Sequence, residues 1–86
     1  MKIRKIMISF DAQEKIFKKH NVRREEIEQV FFGEPYYFKT KSSRYYAIGL
    51  AGRYVTVVFE YEKGCASIIT AYKSSKWQTR LYKVKR

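Results

Sequence analysis

The sequence predicts a small α+β protein: a strand and two helices, then a meander of four strands, then a closing helix. Three observations carry that prediction. The chain has 86 residues, enough for one compact domain over residues 1–86 with one modest core. Apolar residues fall at helical spacing between residues 12 and 32 and alternate as in strands over much of residues 35–72. Its hydrophobic content of 45% is that of a globular chain, too apolar for a disordered one.

Residues 3–10 read as a strand with cations interleaved among apolar side chains. Asp11, with Glu14 three positions on, is the expected cap of a helix over residues 12–20, on which Ile16 and Phe17 form a short apolar stripe. Asn21 suits the left-handed residue that ends it. A second helix is expected over residues 23–32, because Ile27, Val30 and Phe31 share one face and Glu25 and Glu26 complement the positive end of its dipole. Gly33 and Pro35 stop it. Strands come next at residues 35–39, 44–50, 53–61 and 65–72, separated by turns at residues 40–43, at Ala51-Gly52 and at Lys63-Gly64. In the third of these, Val55, Val57, Phe59 and Tyr61 share one face. Short connections imply antiparallel neighbours. A last helix over residues 74–84 is expected to dock through Trp77, Leu81 and Val84, with all helices on one face of the sheet.

The charge pattern narrows function. Lys and Arg number 19 against 8 acids, a formal net charge of +11. Residues 1–34 hold 8 basic and 6 acidic side chains, whereas residues 35–86 hold 11 and 2, together with all eight tyrosines. That half is expected to meet a polyanion. Lys73, Lys76, Arg80 and Lys83 fall on one helical stripe, with Lys85 and Arg86 beyond. The apolar runs are far short of the roughly 20 residues a membrane helix needs, and a membrane-surface role ranks last because the aromatics fall in strands rather than on one amphipathic helix, so no membrane partner is expected. The N-terminus lacks a sustained apolar leader. One cysteine excludes an internal disulfide and a cysteine-based zinc site, and the cytoplasm is the expected location. No Gly-rich phosphate loop or His/Cys/acid cluster stands out, so no metal or cofactor is expected.

The reactive inventory is therefore Arg, Lys, Tyr, Ser and Thr, with His20 as the lone imidazole. It suits one reaction. RNA carries its own nucleophile, the 2′-hydroxyl beside each phosphate. Cations stabilise the pentacoordinate phosphorus, and a Tyr, Lys or His moves a proton. The expected geometry is one concavity in which cations of the sheet and of the closing helix grip a ribose–phosphate strand. His20, at a helix end, reads first as a cap or packing residue.

The ordered set FDAQEKIFKKHNVRREEIEQVF, a Pro, RYYAIG, GRYVTVVF, IITAY and Tyr82 resembles the BrnT toxins, small ribonucleases of type II toxin–antitoxin systems with a RelE-like fold. The similarity spans about residues 8–82. It implies a metal-independent endoribonuclease that inhibits translation, is neutralised by a BrnA-type antitoxin, and binds promoter DNA only as the toxin–antitoxin complex. The family's basic sheet residues correspond to Arg44 and Arg53. Its Ser-Ala-Arg segment aligns with Thr70, Ala71 and Tyr72, and its terminal Tyr with Tyr82. The pattern is broken at Tyr72, where the family has Arg, and at Gln78 and Thr79, where it has Glu-Arg. The resulting expectation is Arg44 and Arg53 on the scissile phosphate, Tyr72 or Tyr82 as proton carrier, and Lys73, Lys76, Arg80 and Lys83 as RNA-binding residues. The alternative is a non-catalytic RelE-like protein that binds nucleic acid or an antitoxin. The edge of the first strand is a candidate surface for a homodimer.

Overall fold

The computed structural model describes residues 1–40 and 42–85. Lys41 of the expected turn and Arg86 of the basic run lie outside the described residues. The element order is β1 (Lys5–Met7), α1 (Phe10–His20), α2 (Arg24–Phe32), β2 (Tyr36–Lys39), β3 (Arg44–Leu50), β4 (Tyr54–Glu62), β5 (Cys65–Lys73) and α3 (Lys76–Lys85). The five strands form one sheet in the order β1-β5-β4-β3-β2. β2 to β5 are the expected antiparallel meander. β1 makes the sheet mixed: it is shorter than expected and pairs parallel to β5 through Lys5–Cys65, Ile6–Ala66 and Met7–Ser67. Two helices and three strands separate β1 from β5, a connection long enough for a parallel pairing.

α1 starts two residues before the expected position. Ser9, not Asp11, is its cap, accepting the Ala12 N–H at 3.1 Å. Asp11 instead sits in the first turn, where its charge still suits the helix dipole. Asn21 ends α1 in the left-handed region at φ 57°. In α2 the Glu26 carboxylate accepts the N–H of Arg23, the preceding cap residue, at 3.0 Å.

Ile16, Val22, Ile27 and Val30 of the helical layer pack on Ala47, Val55, Val57, Phe59, Ala66, Ile68 and Ala71 of the sheet. Burying each Val, Ile or Phe contributes about 1.5–3 kcal/mol. Gly49 lets the layers close: a Cβ there would lie 3.0 Å from Val30 Cγ1. Phe17 of the expected stripe stays 44% exposed, with the Arg23 guanidinium over its ring.

The helices do not share one face. β4 alternation puts Val55, Val57 and Phe59 against α1 and α2 and turns Thr56 to the opposite side. α3 lies on that opposite side, where Gln78 bonds Thr56. It also docks differently from expectation. Gln78 is its buried residue, while Trp77 is 57% and Val84 72% exposed. The cause is the surface beneath. Thr56 and Tyr72 present hydroxyls there, and hydroxyls buried without partners cost more than an exposed indole. No described helix is long and apolar enough to cross a membrane.

Candidate active site

On the face that carries α3, Ile48, Thr56 and Val58 are buried, Tyr46, Thr70 and Tyr72 are half-buried, and Arg44 and Glu60 are exposed. Register assigns the side chains to that face. Arg44, Tyr46, Ile48 and Leu50 of β3 stand opposite Glu60, Val58, Thr56 and Tyr54 of β4. A bulge in β5 near Ile69 resets its alternation, so that Thr70 faces Val58 and Tyr72 faces Thr56. Arg44, Tyr46, Thr70 and Tyr72 therefore share one surface. Arg44 and Tyr46 line a depression of about 490 Å³ with Thr40, Ser42 and Val58. Thr70 lines a second hollow, about 380 Å³, with Lys15, Lys19 and His20 of α1. Val58 of the first hollow and Thr70 of the second are cross-strand partners. Arg44 thus stands at one side of this face and His20 at the other, with the two tyrosines between. The Arg44 guanidinium makes no ion pair among the described residues.

Tyr72 is held by a polar chain rooted in α3. The Gln78 Oε1 accepts from Thr56 Oγ1 at 3.1 Å and from the Ser75 N–H at 2.9 Å. Those two donors fix the amide orientation, so its Nε2 faces Tyr72 and donates to the phenolic oxygen at 2.9 Å. A donor on that oxygen occupies a lone pair and leaves the Tyr72 proton to point elsewhere. The Thr56 and Ser74 hydroxyls, 2.7 Å apart, complete the chain. Burial pushes the Tyr72 phenol above its ordinary value of 10.0, the Gln78 bond opposes this, and neighbouring Tyr46 adds to the rise. The Tyr72 phenol therefore keeps its proton at neutral pH. The His20 ring centroid lies 5.8 Å from that of Tyr72.

Arg53 is elsewhere. It shares the parity of Val55 and so faces the helical layer, roughly 20 Å along the strands from Arg44. Its Nε and Nη2 donate to the two Glu26 carboxylate oxygens at 2.9 and 3.2 Å, and Nη2 also donates to the Asn21 carbonyl. Burial alone would raise the Glu26 carboxyl; the Arg53 bond and the Arg23 N–H hold it below its ordinary 4.5. Arg53 thus braces the α1–α2 junction against the β3–β4 hairpin. Tyr82 packs its ring on Tyr54, with centroids 5.5 Å apart. Lys73, Lys76, Arg80 and Lys83 do share a groove, about 470 Å³, with Ser74, Thr79 and Val84. Neither Arg44 nor Tyr72 lines it. The single concavity expected from the sequence is therefore divided into three: a braced arginine on the helical face, the opposite face of the sheet with Arg44 and Tyr72, and a cationic groove along α3.

Tyr46, Gln78 and His20 join the site beyond the expected set. The alternation of RYYAIGL contains the signal for Tyr46, two residues from Arg44 on the same side. No local signal brings Gln78 or His20 to Tyr72, since those contacts cross between elements. Among the described residues no three His, Cys, Asp or Glu side chains gather as metal ligands.

The fold has a counterpart among known proteins. The family model of BrnT, the ribonuclease toxin of type II toxin–antitoxin systems, matches residues 10–77. The fold is similar to the crystal structure of the Brucella abortus ribonuclease toxin BrnT, with a TM-score of 0.69 and 22% identity. That superposition covers 84% of this chain and 97% of the Brucella chain. No curated protein sequence matches the chain.

Proposed function

Because this chain belongs to the BrnT family of ribonuclease toxins of type II toxin–antitoxin systems, we propose that it cleaves RNA without a metal on the α3 face of the sheet, through Arg44, Tyr72 and His20. The observation that carries this reading is the Gln78–Tyr72 bond. It takes a lone pair of the phenolic oxygen and leaves the proton to face Tyr46, on the surface that Arg44 shares.

In this mechanism the RNA 2′-oxygen attacks the adjacent phosphorus. His20 takes the 2′ proton, Arg44 neutralises charge on the non-bridging oxygens, and Tyr72 protonates the departing 5′-oxygen. The P–O5′ bond breaks, leaving a 2′,3′-cyclic phosphate and a 5′-hydroxyl. This reading gives Arg53 a bracing role on Glu26 and leaves Tyr82 packed on Tyr54, outside the three groups that act on the phosphate. The products identify the route: end analysis after digestion in EDTA should find cyclic phosphates. Arg44→Ala should lower kcat about 10²–10³-fold, by loss of a charge-stabilising donor. Tyr72→Phe should lower it at least about 10²-fold. Full cleavage by either variant would remove that residue from the mechanism.

The family implies an antitoxin partner and an RNA target. A BrnA-type antitoxin, promoter binding only by the complex and action in the cytoplasm complete this reading. Pairing of two copies has support in β1, an edge strand. The second reading, binding without cleavage, is favoured by the cationic groove along α3, which lies apart from Tyr72. RNA and duplex DNA both bound in a salt-sensitive way, with RNA left intact, would select it.

A further inference from the structure

The start of α3 leaves the chain's one tryptophan 57% exposed. Its surroundings are aromatic. Phe38 of β2 lies 6.2 Å from Trp77 between ring centroids, and Tyr46 lies 4.9 Å from Phe38. Tyr36 stacks at 6.0 Å behind Phe38. These separations fall within aromatic contact range, so an unbroken aromatic surface runs from Trp77 to Tyr46. Tyr46 is the residue that shares the 490 Å³ depression with Arg44. Register confirms the common side: Phe38 pairs with Tyr46, and Tyr36 with Ile48.

We propose that Trp77, backed by Phe38 and Tyr46, is a stacking platform for an unpaired base of the RNA strand whose phosphate Arg44 holds. The inference deepens the ribonuclease reading by assigning a base-binding subsite to the same face. Charge favours nucleic acid as the occupant. Lys76 precedes Trp77 in sequence and Arg44 lies at the far end of the aromatic strip, in a chain of net charge +11. A base offers every ring a π-face to stack on, while its phosphates meet the flanking cations. Stacking is tolerant of base identity, so the platform fixes where the strand lies more than which sequence is read.

The lone indole reports on its own occupancy. The probe is a short single-stranded RNA with 2′-O-methyl at every ribose, which blocks the nucleophile. Titrating it into the intact chain should quench tryptophan emission. A series carrying one abasic nucleotide at successive positions should lose that quenching at one or two positions only. With cleavable RNA, Trp77→Ala should raise KM roughly 5- to 100-fold with little change in kcat, and Trp77→Phe should recover most of the loss. Binding of the probe without a change in emission overturns the platform, as does quenching indifferent to abasic position. An unchanged KM in Trp77→Ala with weakened antitoxin binding also overturns it, assigning the patch to a protein contact. Position-dependent quenching by a chain that leaves cleavable RNA intact would keep the platform and remove the catalytic reading.

Discussion

Arg44 begins β3 and Arg53 directly precedes β4. Each is followed by tyrosine in a strand, and the two read alike along the chain. In the fold they have opposite lives. Arg53 turns to the helical layer, where Glu26 and the Asn21 carbonyl take its donors. Arg44 turns to the α3 face, makes no ion pair among the described residues, and stands beside Tyr46. Strand parity decides between them, since successive side chains point to opposite faces. An arginine whose donors are already bonded is a brace; one left exposed on the sheet is available to a phosphate.

The strongest way to break this contrast is through the polar support of Tyr72. Gln78→Glu replaces the amide donor with an acceptor, which draws the Tyr72 proton inward. Cleavage should fall about 10²-fold, close to the effect of Tyr72→Phe, with melting temperature altered far less than activity. A kcat near that of the parent chain would separate Gln78 from the chemistry.

The next effect belongs to the other arginine. Arg53→Ala should cost about 1–3 kcal/mol of stability, measured by urea unfolding, because it strands the Glu26 carboxylate and a carbonyl at the end of α1. Cleavage per folded molecule should survive. A large loss of kcat with stability unchanged would return Arg53 to the site.

The same pair sets an acid limit. The Glu26 carboxyl is held below its ordinary 4.5, so its contribution is fully present above that pH. It is lost as pH falls through the lowered value of the folded state. Parent and Arg53→Ala stabilities should therefore converge as pH falls below about 4. A gap constant down to that range would mean the pair is not ionic.

The smallest expected effect lies along α3. Replacing both Lys76 and Arg80 with Ala should weaken RNA binding and lower the slope of log affinity against log salt by about 1–2, leaving kcat at saturation nearly unchanged. An unaltered slope would show that the groove holds no phosphates.

The sequence by itself determined the α+β layout, the left-handed end of α1 and the alternation of β4. It also determined the shared stripe of Lys73, Lys76, Arg80 and Lys83. These features arise from local periodicity, turn chemistry and charge, which each segment carries alone. It also carried two of the three departures from the family pattern, those at Tyr72 and Gln78, as separate facts. Only the tertiary structure joined them, as one hydrogen bond of 2.9 Å between β5 and α3. The parallel placement of β1, the choice of Gln78 over Trp77 as the buried face of α3, and the parting of Arg53 from Arg44 were likewise settled there. Each depends on which layer a strand or helix meets and which hydroxyl or carboxylate waits on that layer. Those partners come from distant parts of the chain, and pairing polar groups before burial outweighs the apolar pattern of any single helix.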